Sequence, residues 1–552
     1  MLAMSINECN MVQNIKANWW FPISALAFCL LNIKEGTGYL IGIIIAGIIA
    51  IILAGSSASF ISKAKASSTF EIAYAVLCSA GTSVAGYNSF ILFCNNSLDE
   101  SFLKKLALVS NSTRSIIGGA LALVSSFFVF VYVFCFWEKL STILKKTFAI
   151  EDISWREGLF YLAIIIVTSS FVIYTFTRTD AFYWASQYYD VIYTSDSPAI
   201  FRWNAYLTLT HQQNDLRQPL FAVFSIPFLG ALSLISEPFF VPVKAILLDV
   251  GQIVMLTFSN YLLARMMGLP LLSRMAFVLL FSSTYTYMLF SLMMEQYIIA
   301  YFWVILFLYV NFCENNKEPL ILYGAGGTLL TSLALLPFST KYSIRSGWKQ
   351  WVRDLISLGI GFVTIVLGFC RFDVIYNAFD TLRGLASFAG TNITVRDKML
   401  QYLAFVHNLF APPASEVVVT ETGKMTWQLA AITKVDYYGV FVLLLAVISI
   451  VINRKKQSTW IFAGWWLYSI VIMVFLGWGT QENGLILYSL YFGWPLVALI
   501  FQLLEKVGEI IKSRYLSPVI SVIFAAYLIK VNFAAIKALV TFMMIYYPLY
   551  TR

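Results

Sequence analysis

Runs of apolar residues close to the length of a bilayer recur along this whole chain, and that recurrence limits its fold more than any other feature. They lie near 17–33, 37–55, 69–94, 115–137, 158–176, 243–266, 270–292, 297–313, 354–370, 436–452, 459–478 and 484–502, with a last apolar region over 516–549. A helix of about 20 apolar residues crosses the hydrocarbon of a membrane. There, every backbone N–H and C=O must find its partner inside protein. Composition agrees: 60% of the 552 residues are hydrophobic and 12% are charged, against roughly 25% charged in soluble domains. The expected fold class is all-α, a polytopic transmembrane helical protein of about 12–14 spans.

The formal net charge of +9 does not point to nucleic acid. Lys and Arg are scattered in short loops, such as Asn453-Arg454-Lys455-Lys456 and Lys512-Ser513-Arg514, the pattern that retains loops on the cytoplasmic side. The seven cysteines (Cys9, Cys29, Cys78, Cys94, Cys135, Cys313 and Cys370) show no C-x-x-C spacing. Most sit within apolar runs, where Cys acts as a small hydrophobe. No disulfide framework and no zinc site is expected. The opening MLAMSINECNMVQNIKANWW lacks a basic n-region and an A-x-A-like site, so no cleaved signal peptide is expected.

The runs and the loop charges divide the chain into four blocks. Residues 1–137 hold four spans. Residues 138–370 open on an amphipathic stretch, 138–157, suited to lying on the membrane surface. After the span 158–176 comes an outer loop, 177–241, whose apolar part 218–236 is broken by Pro219 and Pro227 and reads as an interfacial helix. The segment 319–338 has basic flanks on both sides, Lys317 before it and Lys341, Arg345, Lys349 and Arg353 after it. A re-entrant or tightly paired segment, permitted by Gly324, Gly326 and Gly327, keeps both flanks on one side. Residues 371–435 form a second polar loop with two amphipathic helices, and residues 436–552 return to the membrane.

Polar side chains are few, so their clusters carry information. The stretch 177–217 holds Arg178, Asp180, Asp190, Asp196, Arg202, His211, Asp215 and Arg217 among many Tyr and Trp. From Asp180 onward, Phe182, Ala185, Tyr189 and Ile192 recur at helical spacing. Asp180 therefore reads either as an N-cap or as a surface carboxylate able to take a proton from a hydroxyl. Asp249 lies within a span, where a carboxylate is expensive. It either pairs with Lys244 or lines a cavity. Glu295 and Glu482 fall at outer turns, where the interface hydrates them or a cavity takes them up. His211 and His407 are the only histidines and are too far apart in sequence to define a metal site.

The segment from Arg178 to Tyr189 (RTDAFYWASQYY), following a span, resembles the first external loop of GT-C glycosyltransferases. The likeness is to the protein O-mannosyltransferase and aminoarabinose transferase group. It continues through Arg217-Gln218-Pro219-Leu220, where that group has a basic residue and a proline motif. It then runs through Ser236-Glu237-Pro238 with Lys244, Glu295-Gln296-Tyr297 and the GAGGTLLTS segment of 324–332, covering roughly residues 160–370. Ala181 stands where the group often has a second acid, and Gln218 stands where it has a proline.

The resemblance implies a membrane glycosyltransferase that moves a sugar from a polyprenyl-phosphate donor to a glycan, lipid or protein acceptor. The reaction would take place on the outer face of a bacterial plasma membrane. It makes Asp180 the candidate general base, with Asp215 as a second carboxylate. Arg178, Arg202, His211, Arg217 and Lys244 become candidate holders of the donor phosphate, and Asp249, Glu295 and Glu482 candidate lining residues. A divalent cation, Mg or Mn, shared between Asp180 and the donor phosphate is compatible with this chemistry. Two other classes stay open: a flippase for lipid-linked saccharides, and a membrane oligosaccharide ligase using Arg396 and His407.

Overall fold

A computed structural model describes residues 153–184, 191–207, 216–312, 319–338, 347–368, 378–386, 389–421, 423–481 and 484–549, with isolated helical positions before residue 146 and at 374. The four spans expected over 17–137 and the amphipathic stretch 138–157 lie largely outside these residues.

Helices dominate. In chain order they are α1 (Trp155–Phe176), α2 (Ser197–Arg202), α3 (Phe221–Ser236), α4 (Val241–Met266), α5 (Leu271–Ser282), α6 (Tyr285–Phe290), α7 (Gln296–Phe312), α8 (Pro319–Thr328) and α9 (Trp348–Gly368). They continue as α10 (Ala378–Ala386), α11 (Val395–Asn408), α12 (Tyr437–Ile452), α13 (Gln457–Phe475), α14 (Leu485–Ile511) and α15 (Leu516–Tyr546). Among the described residues, α1, α4, α13, α14 and α15 are long and apolar enough to cross a membrane, so the chain is a helical integral membrane protein. Side chains on the outer faces of α1 and α15, such as Leu162, Val167, Ile523 and Phe533, are exposed and apolar, as lipid-facing positions should be.

The starts follow from short polar side chains. Ser154 accepts a hydrogen bond from the Glu157 N–H at 3.2 Å, Thr394 from that of Asp397, and Asp436 from that of Gly439. Each side chain satisfies one orphan donor of a first turn.

Residues 270–292, expected as one span, form two helices that part at Ser283 and Thr284. The break survives burial because its freed groups find partners. Asn532 of α15 donates its amide to the Ser283 carbonyl at 2.8 Å and to the Phe410 carbonyl at 2.7 Å. Thr284 caps the next turn. Non-helical backbone at membrane depth is tolerated only with such internal partners.

The chain divides into two compact units that interleave along the sequence. Unit 1 takes residues 1–149, 205–234 and 317–379. Here α3 is opened by a π-helical turn over Ile226–Gly230, because Pro227 has no N–H to continue the ladder. Its residues from Phe221 to Gly230 are almost all buried. The segment 319–338 breaks at Leu329 into α8 and a 3-10 turn over Leu330–Phe338. The Leu220 N–H donates to the Gly327 carbonyl, and the Leu330 N–H to the Arg217 carbonyl at 2.7 Å. A Cβ on Gly327 would lie 2.8 Å from that of Leu220, so only glycine allows this approach.

Unit 2 takes residues 150–204, 235–316 and 380–552. Within it α4 packs between α1 and α7, α5 packs on α15, and α14 packs on α12 and α13. Between apolar helices in lipid, packing and interhelical hydrogen bonds replace the hydrophobic drive, at about 0.6 kcal/mol per bond. Tyr301 to Asn260, Thr257 with Tyr287, and Thr459 to Gln502 are such bonds.

The loop 371–435 holds the expected amphipathic helices as α10 and α11. It also holds an unexpected antiparallel hairpin, β1 (Ser415–Val419) with β2 (Met425–Leu429), in which Val417 faces Trp427. Its β-branched run Val417-Val418-Val419-Thr420, with Gly423 at the turn, was the available signal.

Candidate functional site

Of the candidate residues in unit 2, Arg178 and Asp180 follow the end of α1, Arg202 closes α2 and Lys244 opens α4. Asp180 follows α1 by a short turn. The Tyr183 and Trp184 N–H groups donate to its carbonyl at 3.1 and 2.7 Å. The helix expected from Asp180 to Ile192 does not run through. Residues 181–184 form a turn, and Ile192 is bridged to Trp427 of the hairpin. Ala185 and Tyr189 lie outside the described residues.

The floor beneath Asp180 is aromatic. The Tyr183 ring lies 5.0 Å from Phe176 and 5.6 Å from Phe201. The Arg202 guanidinium stacks over Trp184 at 4.6 Å, and the Lys244 ammonium sits 5.9 Å from the Phe201 ring. Asp180 is 8% exposed. Burial pushes the Tyr183 phenol up, and the negative charge of Asp180 pushes it further. A carboxylate, a guanidinium and an ammonium thus share one aromatic cluster at the end of the first described span. Arg178 is exposed and stacks over Tyr174 at 4.6 Å.

A second cluster lies in the same unit. Glu295 is fully buried. Its Oε1 accepts from the Asp196 N–H at 2.9 Å, and Gln296 Nε2 donates to Asp196 Oδ2 at 3.3 Å. Asp196 was visible in the sequence only as one acid among several. The loop that carries it is held rigidly. Tyr193 and Thr194 both adopt left-handed backbone, with φ of 49° and 58°, which costs non-glycine residues energy. Tyr193 is 2% exposed, and burial raises its phenol. Its hydroxyl bonds Tyr285 and Ser415 at 2.9 Å each and accepts from Trp427 Nε1 at 3.1 Å.

The hairpin and α15 complete this clamp. Trp427 exchanges backbone bonds with Val191 and Tyr193. Thr179 bridges to Pro548 and donates to the Tyr547 carbonyl at 2.5 Å. The Tyr547 hydroxyl donates to the Met425 carbonyl at 2.6 Å.

Lys244 does not pair with Asp249. Its ammonium forms an ion pair with Glu237, seven residues before it. Asp249 is fully buried in α4, where its Oδ1 accepts from Gln252 Nε2 at 2.7 Å. Arg217 belongs to unit 1, where its carbonyl bonds Leu330. His211, Asp215 and Glu482 lie outside the described residues. His407 closes α11 against α12: its Nδ1 lies 2.8 Å from Asp436 Oδ2, and its ring stacks on Tyr438.

Among the described residues, no three His, Cys, Asp or Glu side chains come together to hold a metal ion. The chain matches no family model, no curated protein and no solved structure.

Proposed function

We propose that this chain is a membrane glycosyltransferase of GT-C type. It would transfer a sugar from a polyprenyl-phosphate donor to an acceptor hydroxyl at the outer face of a bacterial plasma membrane. The observation that supports the reading is the company Asp180 keeps. It is a nearly buried carboxylate at the end of a span, on an aromatic cluster that also carries Arg202 and Lys244.

The chemistry needs these groups. The Asp180 carboxylate takes the proton of the acceptor hydroxyl as its oxygen attacks the anomeric carbon. The bond from that carbon to the phosphate oxygen breaks, and polyprenyl phosphate leaves with the electron pair. Arg202 and Lys244 offset the charge that grows on this leaving group. The lipid-facing apolar sides of α1 and α4 leave the polyprenyl chain in hydrocarbon. Chelation of divalent cations in the assay below tests whether Mg or Mn takes part.

The experiment is sugar transfer by purified wild type and Asp180→Asn from a panel of polyprenyl-phosphate sugars. Consumption of one donor by the wild type, lost by about 100-fold or more in a folded variant, supports the reading. A fully active variant returns Asp180 to a structural role.

The ligase reading rests on the His407–Asp436 pair, since a carboxylate-held imidazole is a general-base arrangement. His407→Gln would abolish transfer under that reading and leave it intact under the first.

A further inference from the structure

The span α15 has two faces of opposite character. Leu528, Asn532, Ile536 and Leu539 are buried on one, and α15 packs on α5, α6 and α14. On the other face Lys530 and Lys537 are exposed. Seven residues make about two turns, so these side chains stand one above the other. Phe533 lies between them, 5.4 Å from the Phe171 ring of α1. Ile523 and Tyr527, exposed on the same side, are large and apolar. Among the described residues no carboxylate pairs with either lysine.

Depth makes the exposure of Lys530 unusual. Arg514 stacks on Tyr515 just before α15, and Tyr546 and Tyr547 close it, residue types that seat at headgroup level. The helix between them has 31 residues, about 46 Å at 1.5 Å per residue, so it passes through the whole hydrocarbon, about 30 Å thick. Lys530 is its fifteenth residue and stands near the midplane. Lys537 stands about 10 Å nearer the Tyr546 end, where a lysine stem bends to the headgroups. Lys530 lies about 15 Å from either edge of the hydrocarbon, further than its four-carbon stem extends. A charge at that depth is expensive and is met by a partner or a cavity. The chain holds no carboxylate placed to meet it. Across the whole sequence the apolar runs contain four acids. Glu71, Asp354 and Asp436 stand within the first three residues of their runs, and Asp249 is fully buried, as is Glu295 between two runs. A second copy of the chain fails on the same ground.

We propose that the Lys530 face of α15 is a docking surface for a transmembrane helix of another membrane protein, one that carries an Asp or Glu at the middle of its span. The carboxylate meets Lys530 at a depth that no lipid headgroup reaches. Ala526, Ala534 and Ala538 are exposed one turn before it and one and two turns after it, and side chains this small let the incoming backbone come close. The surface does not depend on the glycosyltransferase reading.

The test reconstitutes the purified full chain, carrying a donor fluorophore, in phosphatidylcholine vesicles with synthetic transmembrane peptides that carry an acceptor. The peptides share one leucine–alanine span and differ at its central residue, which is Glu, Gln or Leu. A fourth has Leu at the centre and Glu in the first turn. Energy transfer to the central-Glu peptide should saturate with an apparent affinity about tenfold tighter, or more, than that of the Gln and Leu peptides. That preference should vanish in Lys530→Met and persist in Lys537→Met. If Lys530→Met does not reconstitute, Lys530→Gln is read in its place by the same criteria. Equal affinity for the central-Glu and central-Leu peptides overturns the proposal, as does an unchanged preference in Lys530→Met. Equal affinity for the first-turn Glu peptide moves the contact to headgroup depth and overturns it too. Lys530-dependent transfer between donor-labelled and acceptor-labelled copies of the full chain would give the face to a second copy and sink the outside partner.

Discussion

Arg274 grips Glu157 with two hydrogen bonds, Nε to Oε1 at 2.9 Å and Nη2 to Oε2 at 2.8 Å. The Glu157 carboxylate is fully buried and also accepts from the Tyr161 hydroxyl at 2.7 Å. The pair joins the start of α1 to the start of α5. Removing one partner strands the other in a dry site. Arg274→Met should therefore cost about 3–5 kcal/mol, and the double change Glu157→Met with Arg274→Met far less. Reversible unfolding in mixed micelles, run as a double-mutant cycle, measures both.

Asn532 is the next point of leverage. Its amide serves two carbonyls at the break between α5 and α6. Asn532→Leu keeps the volume and leaves the Ser283 carbonyl without its side-chain donor, while the Phe410 carbonyl keeps the Tyr285 N–H at 3.2 Å. A loss of about 1–3 kcal/mol for the orphaned group is expected. Amide exchange should quicken first at Tyr285 to Phe290. Equal protection in variant and wild type would show that the break stands without its amide.

Tyr193 ties three elements through one hydroxyl. Tyr193→Phe removes the common partner of Tyr285, Ser415 and Trp427. About 1–3 kcal/mol should be lost. Because Asp196 follows on the same loop, any transfer activity should fall with it. Tyr285→Phe, which spares the other two bonds, should be milder in both measurements.

Stability should fall at alkaline pH. Burial and the nearby Asp180 charge raise the Tyr183 phenol, while an unfolded tyrosine ionises at about 10. Above that pH the unfolded chain has released a proton that the folded chain still holds, so the equilibrium shifts toward unfolding. Below it this tyrosine contributes no slope. Tyr183→Phe should flatten the alkaline limb, read from unfolding midpoints across the range together with phenolate absorbance.

The spans were legible where one run of apolar residues makes one helix: 158–176 and 243–266 reappear as α1 and α4 with starts moved by only two or three residues. The break within 270–292 was not legible, because what stabilises it is an amide 249 positions further along the chain. The partner of Glu295 was not legible, because the Asp196 N–H is a backbone group of a loop whose strained path no periodicity announces. Lys244 was placed at the helix start, but its partner Glu237 was not legible. Glu237 precedes the helix, and helical spacing cannot score a residue outside it.

The bridge between Thr179 and Pro548 joins residues made far apart in time. The Thr179 hydroxyl bonds a carbonyl 368 positions later, and at about 5–20 residues per second a ribosome needs roughly 20–70 s to reach it. Through that interval the loop carrying Asp180 lacks one wall. The contacts of Thr179, the residue before Asp180, are complete only once α15 has been made, so this loop is among the last parts of unit 2 to be closed.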